Sequence, residues 1–208
     1  MRQSICTWKG SAWLSLAGAL CLAGVTLAAS AQGNRVSDNV RAGGIDSYQS
    51  EQTGSRIRRS RALGIVSAPV DKVTEVISDY GSYHEFMPHF VTSRVLSQRG
   101  SRALLYVEVS ALHGAAKLWA QMQLRMVDTT TQTRLIRATM LKGNLKGFEA
   151  EWQITPFDAK HTLVAFELCA DPDFRLPFAD SLVSDHNEKE ARSSILALRR
   201  QLSRKPAR

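Results

Sequence analysis

The sequence predicts an α+β domain in which a curved antiparallel sheet wraps around a long C-terminal helix, with two small helices after the first strand. Short segments between residues 105 and 170 alternate apolar and polar side chains, as half-buried strands do. Two other segments, 70–77 and 182–202, repeat apolar residues at helical spacing. The length of 208 residues suits one ordinary domain preceded by a shorter N-terminal segment.

The N-terminus has the three parts of a secretory signal peptide. Arg2 and Lys9 supply positive charge, residues 12–29 form an uncharged apolar run, and Ala-Ser-Ala at 29–31 is a small-x-small cleavage site. We therefore predict a signal peptide over 1–31 and export to the periplasm or the exterior. An uncleaved membrane anchor is the alternative, because the run approaches the roughly 20 apolar residues that span a bilayer.

The next segment, 32–55, is rich in Gly, Ser, Asn and Gln and has only scattered apolar residues. Such a composition buries too little apolar surface to offset chain entropy. We predict a flexible linker over 32–55, the folded domain over 56–204, and a basic tail over 205–208.

The chain is basic, with a formal net charge of +8. Nucleic acid is not an expected partner, because the basic residues are not interleaved with stacking aromatic residues. Anionic lipid head groups are a better candidate for transient contact, since each nearby Lys or Arg can contribute about 1 kcal/mol to attraction. A merely soluble cationic surface is the alternative.

The first predicted strand and helix lie around a proline. Ile57, Leu63 and Ile65 share one parity, as expected of the apolar face of a first strand. Pro69 fits the first turn of a helix, because its missing N–H costs nothing there. The valines and isoleucine of 70–77 give that helix one apolar face.

A second apolar cluster, 83–87, is stopped by Pro88 and predicts another small helix. Five alternating segments then predict strands at 105–110, 118–126, 136–140, 148–154 and 161–170. The inward parity of the last of these stays open, because apolar residues occur at both parities.

The final segment predicts a long amphipathic helix. Its apolar stripe is formed by Leu182, Ala191, Ile195, Leu198 and Leu202. The apolar face of a curved sheet needs a cover. We expect this helix to lie across the concave side and to leave a cavity between helix and sheet.

The segment SAPVDKVTEVISDYGSYHEFMPHF at 67–90 resembles the opening of START-like helix-grip (SRPBCC) domains, in the polyketide cyclase and coenzyme Q-binding protein branch. Residues 147–152 with Pro156 resemble a later strand of that family. Leu-Pro at 176–177 and Leu-Val at 182–183 resemble its entry into the last helix.

This resemblance covers roughly 57–203. It implies that a hydrophobic small molecule, such as a lipid or quinone, is held between the sheet and the terminal helix. The side chains expected to contact it are Phe86, Met87, Val107, Met122, Leu124, Met140, Phe148, Trp152, Phe166, Phe178 and Leu182. Methionine side chains adapt to irregular apolar ligands. Trp152 is expected to pack against the last helix and to offer its N–H to a carbonyl.

No catalytic residue, metal site or cofactor is predicted. The five histidines show neither the spacing of a helical zinc pair nor a partnering cysteine cluster. A fold does not fix a reaction, so a cyclase or dehydratase is the alternative to a noncatalytic carrier. It would use Glu167 or Glu108 as a pocket acid and Tyr106 as a donor.

Overall fold

The computed structural model describes residues 36–52, 55–111, 116–129, 132–172 and 179–204. The predicted signal peptide, the predicted tail and Phe178 lie outside the described residues. In chain order the elements are α1 (Asp38–Arg41), β1 (Ile45–Ser50), β2 (Arg59–Val66), α2 (Val70–Ser78), a 3₁₀ turn (Tyr80–Ser82), α3 (Tyr83–Phe86), β3 (Phe90–Arg99), β4 (Arg102–Ala111), β5 (Ala116–Asp128), β6 (Arg134–Gly143), β7 (Leu145–Pro156), β8 (Thr162–Pro172) and α4 (Ala179–Ser203).

These strands form one antiparallel sheet in the order β1-β2-β8-β7-β6-β5-β4-β3. The long helix α4 packs on β2, β8 and β1, and two small helices lie between β2 and β3. The predicted fold class is confirmed. We call the sheet face that α4 covers the inner face, and the opposite one the outer face.

The inner face of β2 carries small residues such as Ala62 and Gly64. The parity predicted from Leu63 and Ile65 is therefore wrong. A Cβ atom added to Gly64 would lie 3.2 Å from Cγ2 of Ile195 on α4. At Gly64 the helix approaches β2 so closely that a branched side chain would not fit there.

Helix α1 and strand β1 fall within 32–55, so the prediction of a flexible linker is wrong for this part of the chain. β1 pairs with β2 along its whole length, and Val40 and Ile45 are buried. Arg199 of α4 donates to the carbonyl of Gly43. Contacts with distant elements stabilise a segment whose own composition is polar.

The edge strand β3 was not predicted. Only Ser93 is buried among its residues. Register shifts interrupt its pairing with β4, one near Thr92 and one near Ser97. A bulge moves following side chains to the other face, so no sustained alternation marks this strand.

The buried stripe of α4 was predicted correctly at Ile195 and Leu198, which are fully buried. Leu182 is 66% exposed and lies outside this stripe. In this first part of α4 the buried face carries polar residues, which form hydrogen bonds. Ser184 accepts from the Arg58 backbone N–H, and Asn187 donates to the Ala170 carbonyl of β8. Within the described ranges, no helix combines the length and apolar character needed to cross a bilayer.

Candidate functional site

A small apolar cavity lies on the inner face, between strands β5–β8 and the segment 83–90. Its volume is about 40 Å³. It is lined by Tyr83, Met87, Phe90, Met122, Leu124, Ile136, Ala138, Phe148, Ala150, Trp152 and Phe166. None of these side chains carries a charge at neutral pH, so a ligand held here must be mainly apolar.

The cavity does not lie between the sheet and α4, as the sequence analysis expected. None of the lining residues belongs to the described part of α4. This helix packs directly on β2 and β8, and at Gly64 even an added Cβ atom would lie within 3.2 Å of Ile195. The cavity lies instead between strands β5–β8 and the segment 83–90.

Six of the eleven predicted site residues line this cavity: Met87, Met122, Leu124, Phe148, Trp152 and Phe166. Phe86, Val107 and Met140 pack in the surrounding core instead. Leu182 is exposed on α4. Contact of these residues with a ligand stays a prediction.

Five lining residues were not predicted: Tyr83, Phe90, Ile136, Ala138 and Ala150. The last three could have been identified from the sequence, because each lies on a predicted strand at the same parity as a predicted site residue. Phe90 begins the bulged edge strand β3, and no periodic signal identifies it.

Trp152 and Phe166 form the floor of the cavity. They are a cross-strand pair of β7 and β8, with stacked rings whose centroids lie 4.2 Å apart. Packing of Trp152 against the last helix stays a prediction; α4 packs mainly on β2, β8 and β1. The indole N–H of Trp152 forms no hydrogen bond with any residue that the structure describes.

Tyr83 is the centre of the segment that covers the cavity. Its ring makes edge-to-face contacts with Tyr80, Phe86 and Phe90 at centroid distances of 5.9, 5.7 and 5.9 Å. Its hydroxyl donates to the Ile77 carbonyl at 2.6 Å. Burial raises the pKa of Tyr83 well above its ordinary value, so this hydroxyl stays protonated and serves the structure.

Two sets of contacts hold the covering segment in place. The Ser93 hydroxyl of β3 donates to the Gly81 carbonyl at 2.7 Å and accepts from the His84 backbone N–H at 3.0 Å. At the other end, Nε2 of His89 lies 3.3 Å from Oε1 of Glu190 on α4. The segment is thereby connected to both an edge strand and the long helix.

The candidate catalytic residues lie on the outer face. The Tyr106 hydroxyl donates to Glu108 at 2.8 Å, and the Thr92 hydroxyl donates to the same carboxylate at 3.0 Å. Both hydrogen bonds lower the pKa of Glu108, and the bond from Tyr106 is the larger cause. Glu167 is paired with Arg61. A substrate in the cavity cannot reach these carboxylates through the sheet.

No cluster of three metal-ligating side chains occurs within the ranges that the structure describes. The family described as polyketide cyclase / dehydrase and lipid transport matches residues 66–199. The chain belongs to this family. The predicted resemblance to START-like domains and to the polyketide cyclase family is confirmed.

Solved structures of this fold include proteins named for lipid transfer. A STAR-related lipid transfer protein from Xanthomonas axonopodis is 20% identical, with a TM-score of 0.66 over 77% of this chain and 94% of that one. Human StAR-related lipid transfer protein 5 is 12% identical, with a TM-score of 0.66 over 76% and 82%. A START superfamily protein from Mycobacterium smegmatis is 16% identical, with a TM-score of 0.57 over 69% and 96%. These likenesses establish the fold. No curated protein matches the sequence.

Proposed function

We propose that this protein is a noncatalytic carrier that binds a hydrophobic small molecule, a lipid or a quinone-like compound, in the cavity beneath segment 83–90. The observation that carries the proposal is the lining of this cavity, which consists of uncharged and mainly aromatic or aliphatic side chains. The lipid-transport description of the family supports it.

Binding must widen the cavity. Its volume of about 40 Å³ is far below the roughly 300 Å³ at which ligand pockets for drug-sized molecules begin. Met87 of the covering segment and Met122 of β5 both line the space, and their unbranched thioether chains change rotamer at low cost. Widening the cavity also requires the short α3 segment to shift away from the sheet, which breaks contacts of Tyr83 and Met87 with the core.

The indole N–H of Trp152 favours a ligand with one hydrogen-bond acceptor. Trp152 lines the cavity and is 4% exposed, and its indole N–H is the one polar donor that this side chain can offer to a ligand. A carbonyl oxygen, such as that of a quinone or an acyl ester, would satisfy it. The rest of such a molecule would contact apolar side chains.

We further propose that the protein is exported and makes transient contact with an anionic membrane. At the end of the sheet where β3 begins and β6 ends, Val91, Leu141 and Leu182 are exposed by 49, 54 and 66%. Three exposed lysines accompany them: Lys117, Lys142 and Lys146. Apolar side chains beside basic ones match the boundary between acyl chains and anionic head groups.

The proposal is tested by mass spectrometry of solvent extracts. The chain is expressed with its own N-terminal segment, purified without detergent, and compared with an empty-vector preparation. A stoichiometric lipid or quinone is the expected result. An empty protein that also fails to bind added ubiquinone or phospholipid would overturn the proposal.

Two variants of neighbouring residues on β6 provide a matched control. Ala138 lines the cavity, so Ala138→Phe fills it and should abolish the bound molecule. Thr139 is exposed on the same strand, at the opposite parity, and Thr139→Phe should retain it. Equal occupancy in the two variants would place the ligand elsewhere.

A further inference from the structure

A single row of charged side chains crosses most of the sheet on its outer face. Cross-strand register places Arg61 opposite Glu167, Glu167 opposite Glu151, and Glu151 opposite Arg137. Arg61 is ion-paired with Glu167, and Nε of Arg137 lies 2.5 Å from Oε2 of Glu151. In this half of the row each charge has an opposite charge beside it.

The row continues toward β3 with arginines alone. Arg125 lies opposite Arg137, Arg102 opposite Arg125, and Arg99 opposite Arg102. Neighbouring strands are about 4.8 Å apart, so the Cα atoms of the last three arginines lie within about 10 Å. Like charges directly opposite one another destabilise a sheet.

These three arginines are exposed. Among the residues that the structure describes, no side-chain hydrogen bond or ion pair reaches Arg99, Arg102 or Arg125. The two halves of the row therefore differ in one respect, which is the absence of acidic partners at the β3 end. A bound anion would supply what Glu151 and Glu167 supply in the other half.

A groove of about 510 Å³ lies at two of these arginines, Arg99 and Arg102. It is lined by Ser97, Arg99, Arg102, Ala103, Leu104 and Gln123. The groove is open to solvent, since Ser97, Arg99, Arg102 and Gln123 are all exposed. The Ser97 hydroxyl and the Gln123 amide add neutral hydrogen-bond donors to the guanidinium groups.

We propose that this outer-face groove binds a multiply charged phosphate-type oxyanion. Guanidinium groups match the geometry of phosphate oxygens through paired N–H donors. Because no carboxylate lines the groove, a ligand with at least two negative charges is favoured over a neutral one. The site is separate from the apolar cavity, which lies on the inner face, and does not depend on the carrier function.

The test measures binding of inorganic pyrophosphate to the full chain by calorimetry at low ionic strength. The double variant Arg99→Gln, Arg102→Gln should weaken binding by at least about tenfold, because each lost charge-assisted hydrogen bond is worth roughly that factor. The control Lys160→Gln, Lys189→Gln removes two charges from exposed lysines, one between β7 and β8 and one on α4. It should change the affinity by less than about twofold.

Thermal unfolding gives a second readout. Removing like charges should raise the melting temperature of the ligand-free arginine variant, while pyrophosphate should stabilise only the wild type and the control. Absence of pyrophosphate binding to the wild type, or equal weakening in both double variants, would overturn the proposal.

Cosedimentation with phosphatidic acid vesicles distinguishes the sources of the phosphate. If the arginine variant loses both pyrophosphate and vesicle binding, lipid head groups enter the groove. If it loses pyrophosphate binding alone, the natural ligand is a soluble phosphate compound. Either result supports an oxyanion site.

Discussion

Arg199 of α4 donates its Nε–H to the backbone carbonyl of Ile65 on β2 at 3.0 Å. The same guanidinium donates to the carbonyls of Gly43 and Gly44, at 2.9 and 3.2 Å. Burial lowers the pKa of Arg199, yet arginine stays charged at physiological pH. One side chain thus joins the long helix, the sheet and the segment between α1 and β1.

Arg199→Leu should destabilise the domain by about 2 kcal/mol, because it leaves partly buried carbonyl groups without donors. The loss should be largest at the N-terminal segment, since β1 is an edge strand. Limited proteolysis should show faster cleavage within 42–58 before the rest of the domain is cut.

Arg200 is the matched control, because it is the exposed neighbour on the same helix. Arg200→Leu should change the free energy of unfolding by less than about 0.5 kcal/mol. Equal protection of β1 in the two variants would show that Arg199 does not hold this segment.

Gly64→Val should destabilise the protein by about 1–3 kcal/mol, because overpacking forces α4 away from β2. An added Cβ already lies 3.0 Å from Arg199 and 3.3 Å from Ile45. Gly81→Ala is the control, since the nearest atom to its added Cβ is 3.9 Å away. Urea unfolding measures both; a Gly64→Val protein as stable as the control would contradict the close packing.

The strands that could be predicted from the sequence are those with one solvent-exposed face and one buried face. Met122 and Leu124 on β5, and Trp152 on β7, show their inward direction in the local alternation. β1 could not be found in this way, because its stability comes from Arg199 and from pairing with β2, which are distant in sequence. β3 was missed because its bulges break the period.

The position of the cavity could not be predicted for a related reason. It depends on how closely α4 approaches β2, and this distance is set by Ala62 and Gly64, which have no strong signal in a hydrophobic pattern. The covering role of Tyr83 and Phe90 likewise depends on the path of the chain after α2.

Glu151 should make the stability depend on pH in a direction unusual for an ion-paired carboxylate. Burial raises the pKa of Glu151, although its bond to Arg137 opposes this. The folded state therefore binds the proton more tightly than the unfolded chain does, and the stabilising contribution is present below the ordinary value of 4.5. It is lost as the pH rises through the folded-state pKa.

Comparison with Glu151→Gln isolates this contribution, because glutamine does not titrate. The difference in free energy of unfolding, wild type minus variant, should decrease from about pH 4 to about pH 7. Urea unfolding across a pH series measures it. A difference that increases with pH would mean that pairing with Arg137 outweighs burial.

Substitutions of Trp152 should separate packing from hydrogen bonding in the cavity. Trp152→Ala removes the stack on Phe166 and should cost about 3–5 kcal/mol of stability, whereas Trp119→Ala, at a tryptophan 38% exposed, should cost about 1 kcal/mol or less.

Trp152→Phe keeps an aromatic ring on Phe166 and removes only the N–H donor and part of the volume. If the ligand is held through a carbonyl, Trp152→Phe should weaken its binding by about fivefold, as expected for one neutral hydrogen bond. A saturated hydrocarbon of similar size should bind the variant at least as well as the wild type. Equal effects on both ligands would assign Trp152 a purely apolar role.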